Sequence, residues 1–302
     1  MATLHNNVVP SVGVALVPIT RGLFAGGWGP GSWVNVDTID YITLATTGNA
    51  TDFGNLTSAG YADAGVSSTI RGVFGGNSNP EYVTVATTGN ATAFGTLSHL
   101  SADKGACSNL LRGVWAGGNS VSAMDYITIA TTGNSTSFGN LSVQRVELSG
   151  CADSTRGVFA GGANQSSGHT PVDTIDYITI ATTGHATDFG NLTSVRDDVV
   201  AAVSNLTRGL IGGGYFSGST DAIDYITIQT TGNATDFGNL TIARSWLTGC
   251  AGDLRAVWAG GSSSSDSKTN IIDYVTIATT GNATDFGDLT VGRFSLGGLS
   301  GG

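Results

Sequence analysis

Six acid-tyrosine pairs punctuate the chain, at Asp40-Tyr41, Glu81-Tyr82, Asp125-Tyr126, Asp176-Tyr177, Asp224-Tyr225 and Asp273-Tyr274. A carboxylate beside a tyrosine, with arginines on the same face, can do the chemistry of a sialidase-like glycosidase. Only Glu81 and Glu147 are glutamates, although aspartates are plentiful. A pair that returns six times in a near-invariant setting reads as scaffold, so a propeller-type glycosidase is kept only as an alternative. The four histidines, His5, His99, His169 and His185, show neither HxH nor HExxH spacing, and no metal or other cofactor is expected from them. Gly298-Leu299-Ser300-Gly301-Gly302 matches GxSxG, but no helix is expected after it, so it lacks the setting of a nucleophile elbow.

The arginines occupy two positions. Arg21, Arg71, Arg112, Arg156, Arg208 and Arg255 each open a motif such as RGVFAGG, and Arg145, Arg196, Arg244 and Arg293 precede a run of small residues. The first set is expected to pair with Asp52, Asp188, Asp236 and Asp285. Arg71 and Arg112 face Ala93 and Ser137 at that position, so backbone carbonyls are their expected partners. Cys107, Cys151 and Cys250 share one repeat position, five residues before an arginine. Equivalent positions in a ring lie too far apart for a disulfide, and buried free thiols are expected.

The elements that position these residues follow from the repeat. Ile39 to Gly54 reads IDYITLATTGNATDFG and returns, with small changes, up to Ile272 to Gly287. The run after each pair alternates with period two, Ile42 and Leu44 on one face against Tyr41, Thr43 and Ala45 on the other, which is a strand pattern. Gly48-Asn49 and its counterparts suit a two-residue hairpin turn leading to an outer strand with Phe53, Phe94, Phe138, Phe189, Phe237 or Phe286. From each acid to the next RGVFAGG-type arginine the distance is 31, 31, 31, 32 and 31 residues. From that arginine to its own acid it is 19, 10, 13, 20, 16 and 18. Apart from one residue between Asp176 and Arg208, all variation in length therefore lies after the glycine pair. With a small-residue strand before each arginine, every unit predicts four antiparallel strands, and six such units match the period of a β-propeller.

The order of small-residue strand, apolar strand ending in glycines, variable loop, acid-tyrosine strand and large aromatic resembles the kelch repeat from about Val12 to Thr290. Phenylalanine stands where kelch usually has tryptophan, the tyrosine follows the acid, and the glycine pair is blurred at Gly75-Gly76-Asn77. The RGVFGG and DYITIATTGNATDFGNLT strings also resemble propeller proteins of bacteriophages of aquatic bacteria. The expected fold is thus an all-β, kelch-like, six-bladed propeller with four antiparallel strands per blade. Residues 1–11 form an N-terminal arm, 12–292 the propeller, and 293–302 a tail or closing strand. Either Val12 to Val17 or the C-terminal segment supplies the first inner strand, with the N-terminal choice favoured.

The formal net charge of -10 and the scarcity of lysine exclude a phosphate backbone as partner, and Pro10 and Pro18 interrupt the apolar N-terminal stretch, so neither a signal peptide nor membrane insertion is expected. Alternating strand direction puts the variable loops on one face and the fixed hairpins on the other, the arrangement of a binding surface on a constant scaffold. Trp28, Trp33, His169, Tyr215 and Phe216, with Arg145, Arg196 and Arg244 before the inner strands, are the candidate ligand-binding residues of that face. The expected role is a non-catalytic binding or structural module, on a virion or extracellular after lysis. Its partners would be a host-surface glycan or receptor, other virion proteins, or further copies of itself. A purely structural decoration subunit is the alternative.

Overall fold

A computed structural model describes residues 19–31, 34–61, 64–119, 121–198, 201–263 and 267–301. Among them are six four-stranded antiparallel sheets and one small three-stranded sheet, and the only helical element is a single 3-10 turn, Gln165–Ser167. Among the described residues no helix is long and apolar enough to cross a membrane. Each four-stranded sheet uses the repeat in one order, shown by the fourth: Ser149–Ala152 innermost, then Arg156–Ala160, Thr174–Thr179 and Thr187–Asn191. The architecture is all-β and propeller-like.

The first sheet takes its innermost strand from the other end of the chain. Gly297–Gly301 pairs with Arg21–Ala25, whose other edge pairs with Thr38–Thr43, so both edges are filled. The C-terminal segment, not the favoured Val12 to Val17, holds that place, and residues 12–17 lie outside the described residues. Small residues explain the choice, because Gly297, Gly298 and Gly301 let backbones converge. A Cβ on Gly298 would lie 2.5 Å from the Gly249 carbonyl oxygen.

Adjacent sheets hold each other in three repeated ways. Apolar residues form six buried clusters, one between each consecutive pair of sheets and one between the sixth and the first; Phe237, for example, packs with Leu210, Trp258 and Ile277. The innermost strands meet in the same cyclic order and jointly line a cavity of about 130 Å³. Cys107, Cys151 and Cys250 are buried free thiols there, packed against Gly157, Gly209 and Gly22 of the next sheet, where a Cβ would lie 2.5, 2.8 and 2.3 Å from the sulfur. Burial pushes the Cys151 thiol up to about 12.

The Gly-Asn element differs from the expected two-residue hairpin. The chain turns earlier, at Thr43 to Thr46, where the Thr46 amide reaches the Thr43 carbonyl at 3.2 Å. Gly48 and Ala50 instead donate to Phe286 and Asp288 of the sixth sheet, both at 2.8 Å, while Asn49 Oδ1 accepts from the Asp288 amide. Gly89, Gly133, Gly184, Gly232 and Gly281 repeat this contact on the preceding sheet. The glycine after each phenylalanine faces it closely: a Cβ on Gly238 would lie 2.3 Å from the Gly281 carbonyl oxygen, and its φ is +149°. The string is invariant because it docks one sheet onto another, satisfying an outer edge that would otherwise be unpaired.

The RGVFAGG-type arginines also join sheets, but not through Asp52, Asp188, Asp236 or Asp285, which are exposed. Each guanidinium lies 4.3 to 4.8 Å from the tyrosine ring centroid of its own sheet. Each also donates to a carbonyl of the next sheet, from Arg21 to Val85 at 3.0 Å round to Arg255 to Leu44 at 3.1 Å. Carbonyls and a ring face take the place of the expected carboxylate, for all six and not only for Arg71 and Arg112.

The third link is a buried ion pair. Arg145, Arg196, Arg244 and Arg293 have no exposed surface. They meet Asp176, Asp224, Asp273 and Asp40 at 2.7, 2.5, 2.7 and 3.0 Å. Removing one partner strands a charge in the interface, so Arg244→Ala is expected to lower stability by about 3–5 kcal/mol in guanidinium unfolding.

Candidate functional site

The loops after the glycine pairs lie at the face where the buried arginines also end, because the arginine backbone holds the glycines. Gly118, Gly162, Gly214 and Gly261 donate to the carbonyls of Arg145, Arg196, Arg244 and Arg293 at 2.9 to 3.1 Å. Two residues beyond those arginines stand Glu147, Asp198, Trp246 and Ser295, with φ of +60, +55, +57 and +53°, and Asp103 joins them at +59°. This left-handed conformation is uncommon away from glycine, and here amide-to-carbonyl bonds support it: Glu147 to Asp103 and Trp246 to Asp198 at 2.8 Å, Ser295 to Trp246 at 2.9 Å. The backbone is constant while the side chains vary.

On one side of this rim lies an aromatic pocket of about 300 Å³ lined by Trp28, Tyr61, Trp246 and Phe294 with Asp103, Ser262 and Ser295. Trp28 stacks on Tyr61 with centroids 5.4 Å apart, and Trp246 and Phe294 meet at 6.5 Å. Lys268 stands 5.6 Å from the Phe294 ring centroid and donates to the carbonyls of Gly29, at 2.6 Å, and Gly31, tying the loop after Gly27 to the sixth sheet.

On the other side carboxylates gather. His169 Nε2 lies 3.2 Å from Glu147 Oε2 and 3.8 Å from Asp197 Oδ2. Burial, then the carboxylates of Asp198, Asp103 and Asp197, pushes the Glu147 carboxyl up to about 8. Burial and Asp197 raise Asp198 to about 7, against a hydrogen bond from the Trp246 side chain. Burial raises Asp103 to about 6 and also raises Asp197, while His169 opposes both shifts.

The candidates chosen from sequence separate into groups. Trp28 lines the pocket and His169 joins the carboxylates. Tyr215 and Phe216 stand exposed on the same face, Tyr215 paired through its backbone with Asp197. Trp33 lies outside the described residues. Arg145, Arg196 and Arg244 are a correction: they are wholly buried in ion pairs and offer nothing to a ligand. Tyr61, Asp103, Glu147, Asp197, Asp198, Trp246 and Phe294 were missed, although reading two residues on from each buried arginine finds Glu147, Asp198 and Trp246 as one varying position. Ser300 of the GxSxG match lies within strand Gly297–Gly301.

Because the carboxyls of Glu147, Asp198 and Asp103 titrate higher in the folded chain than their ordinary 4.5, 3.8 and 3.8, the folded state binds more protons between those values and about 8, 7 and 6. Their stabilising contribution is complete below the lower values and lost as pH rises through the upper ones. In a chelator-containing buffer the melting temperature is therefore expected to fall across that window, and Glu147→Gln to flatten the fall, as scanning calorimetry would show. No protein-family model and no curated protein matches the chain.

Proposed function

We infer that this chain is a six-bladed, kelch-like propeller acting as a non-catalytic binding module that takes a sugar on its loop face. The support for six blades is the cyclic order of six sheets, six interface clusters and a ring of docking strips. The observation that carries the function is the pocket between Trp28, Tyr61, Trp246 and Phe294. Aromatic faces cover the apolar side of a pyranose ring, and Asp103, Ser262 and Ser295 at the margin can bond its hydroxyls. Exposed Tyr215 and Phe216 widen the same surface toward a larger glycan or a host receptor. The setting implied by the resemblance is a virus particle, and mass spectrometry of purified particles tests that part separately.

Trp28→Ala and Phe294→Ala are each expected to weaken glycan binding roughly tenfold, about 1.4 kcal/mol, on a glycan array followed by titration of the best ligand. His185→Ala, in one of the docking strips, is expected to bind as the unaltered chain does. Equal binding by all three variants would remove the pocket from the account.

A further inference from the structure

Glu147, His169 and Asp197 come from three separate segments: the turn after Arg145, the loop beyond Gly162, and the residue after Arg196. Their ligand atoms all lie within 4.8 Å of one another. We propose that these three side chains form a binding site for a divalent transition-metal ion of the zinc class, at the margin of the loop face. The inference is independent of the sugar pocket and needs no glycan.

Three observations carry it. Glu147 and Asp197 are 7% and 4% exposed, yet among the described residues Glu147 Oε2 and Asp197 Oδ1 accept no hydrogen bond. The His169 ring nitrogen faces Glu147 Oε2 at 3.2 Å without the alignment of a hydrogen bond. A buried carboxylate oxygen left so is costly unless a cation meets it. Second, the spacing suits a small ion. Ligand atoms about 2.1 Å from zinc at a tetrahedral angle lie about 3.4 Å apart. The 3.2 and 3.8 Å distances from His169 bracket that value, and all three ligand atoms lie within 4.8 Å of one another.

Third, His169 is already oriented. It sits at φ +61° directly after Gly168, whose left-handed φ of +76° ends the turn Gln165–Ser167. The Gln165 side-chain amide nitrogen lies 3.0 Å from His169 Nδ1, with Nε2 toward the carboxylates. A half-turn of that amide exchanges its nitrogen for its oxygen, and Gln165 then accepts from Nδ1–H and frees the Nε2 lone pair, the support that metal-bound imidazoles usually have. An imidazole with two carboxylates favours zinc-class ions over calcium or magnesium, which prefer all-oxygen shells. His169 is 46% exposed at its side chain, so a fourth position stays open to water or to a ligand on the loop face.

The test is calorimetric titration of ZnCl2 into the full chain after chelator dialysis, with no sugar present. One Zn2+ per chain is expected to bind saturably below roughly 100 μM, and His169→Ala and Glu147→Gln each to weaken it tenfold or more. Gln165→Ala should weaken it less, and a His5→Ala/His185→Ala double variant should bind as the unaltered chain does. Since His169 is exposed, His169→Ala is expected to fold normally by circular dichroism. Absence of saturable binding below roughly 1 mM, unchanged binding in His169→Ala, or loss only in the His5/His185 variant overturns the proposal. Substitution with Co2+ gives a second reading, because its visible bands should appear in the unaltered chain and vanish in His169→Ala.

Discussion

The buried carboxylate at the start of each acid-tyrosine strand is the constraint on which the rest depends. Asp40, Asp125, Asp176, Asp224 and Asp273 have no exposed surface, and a charge so placed is tolerable only when several donors converge on it. Donors come from the preceding sheet. Thr193 offers its amide and hydroxyl to Asp224 at 3.0 and 2.7 Å, and Arg196 adds a guanidinium at 2.5 Å. Two sheets must therefore be in register before either charge is satisfied. The same requirement at Asp40, met by Thr290 and Arg293 from the far end of the chain, ties the last unit to the first.

Two junctions use substitutes. Glu81, longer and partly exposed, takes the Thr57 amide and hydroxyl with no buried arginine beside it. Asp125 takes the His99 amide and ring instead. The junctions closed by arginine are those flanking the loop-face rim at Glu147, Asp198, Trp246 and Ser295, so the buried ion pairs lie under side chains that vary. An arginine that spans two sheets fixes the backbone just after it, and a fixed left-handed backbone presents whatever side chain stands there. Carboxylates, a tryptophan and a serine thus share one conformation, which places an aromatic pocket and an acidic cluster side by side.

Much of this was legible in the sequence. Period-two alternation, the recurring phenylalanine and the constant acid-to-arginine spacing determined the strands, their order within a unit and the side on which variation would gather, because these follow from local geometry and repeat length. Buried thiols at Cys107, Cys151 and Cys250 followed from small residues converging on an axis. Trp28 and His169 could be placed on the loop face because they stand in the loops of varying length. What a neighbouring sheet supplies was not legible locally: Gly48-Asn49 looks like a hairpin turn and is a docking strip, and Arg145 looks like a surface cation and is the buried partner of Asp176. The tertiary structure alone decided that Gly297–Gly301 completes the first sheet and that Glu147, His169 and Asp197 meet. Residues 22, 28 and 50 positions apart carry no mutual signal in the chain, and only the convergence of three loops brings their side chains within ligand distance.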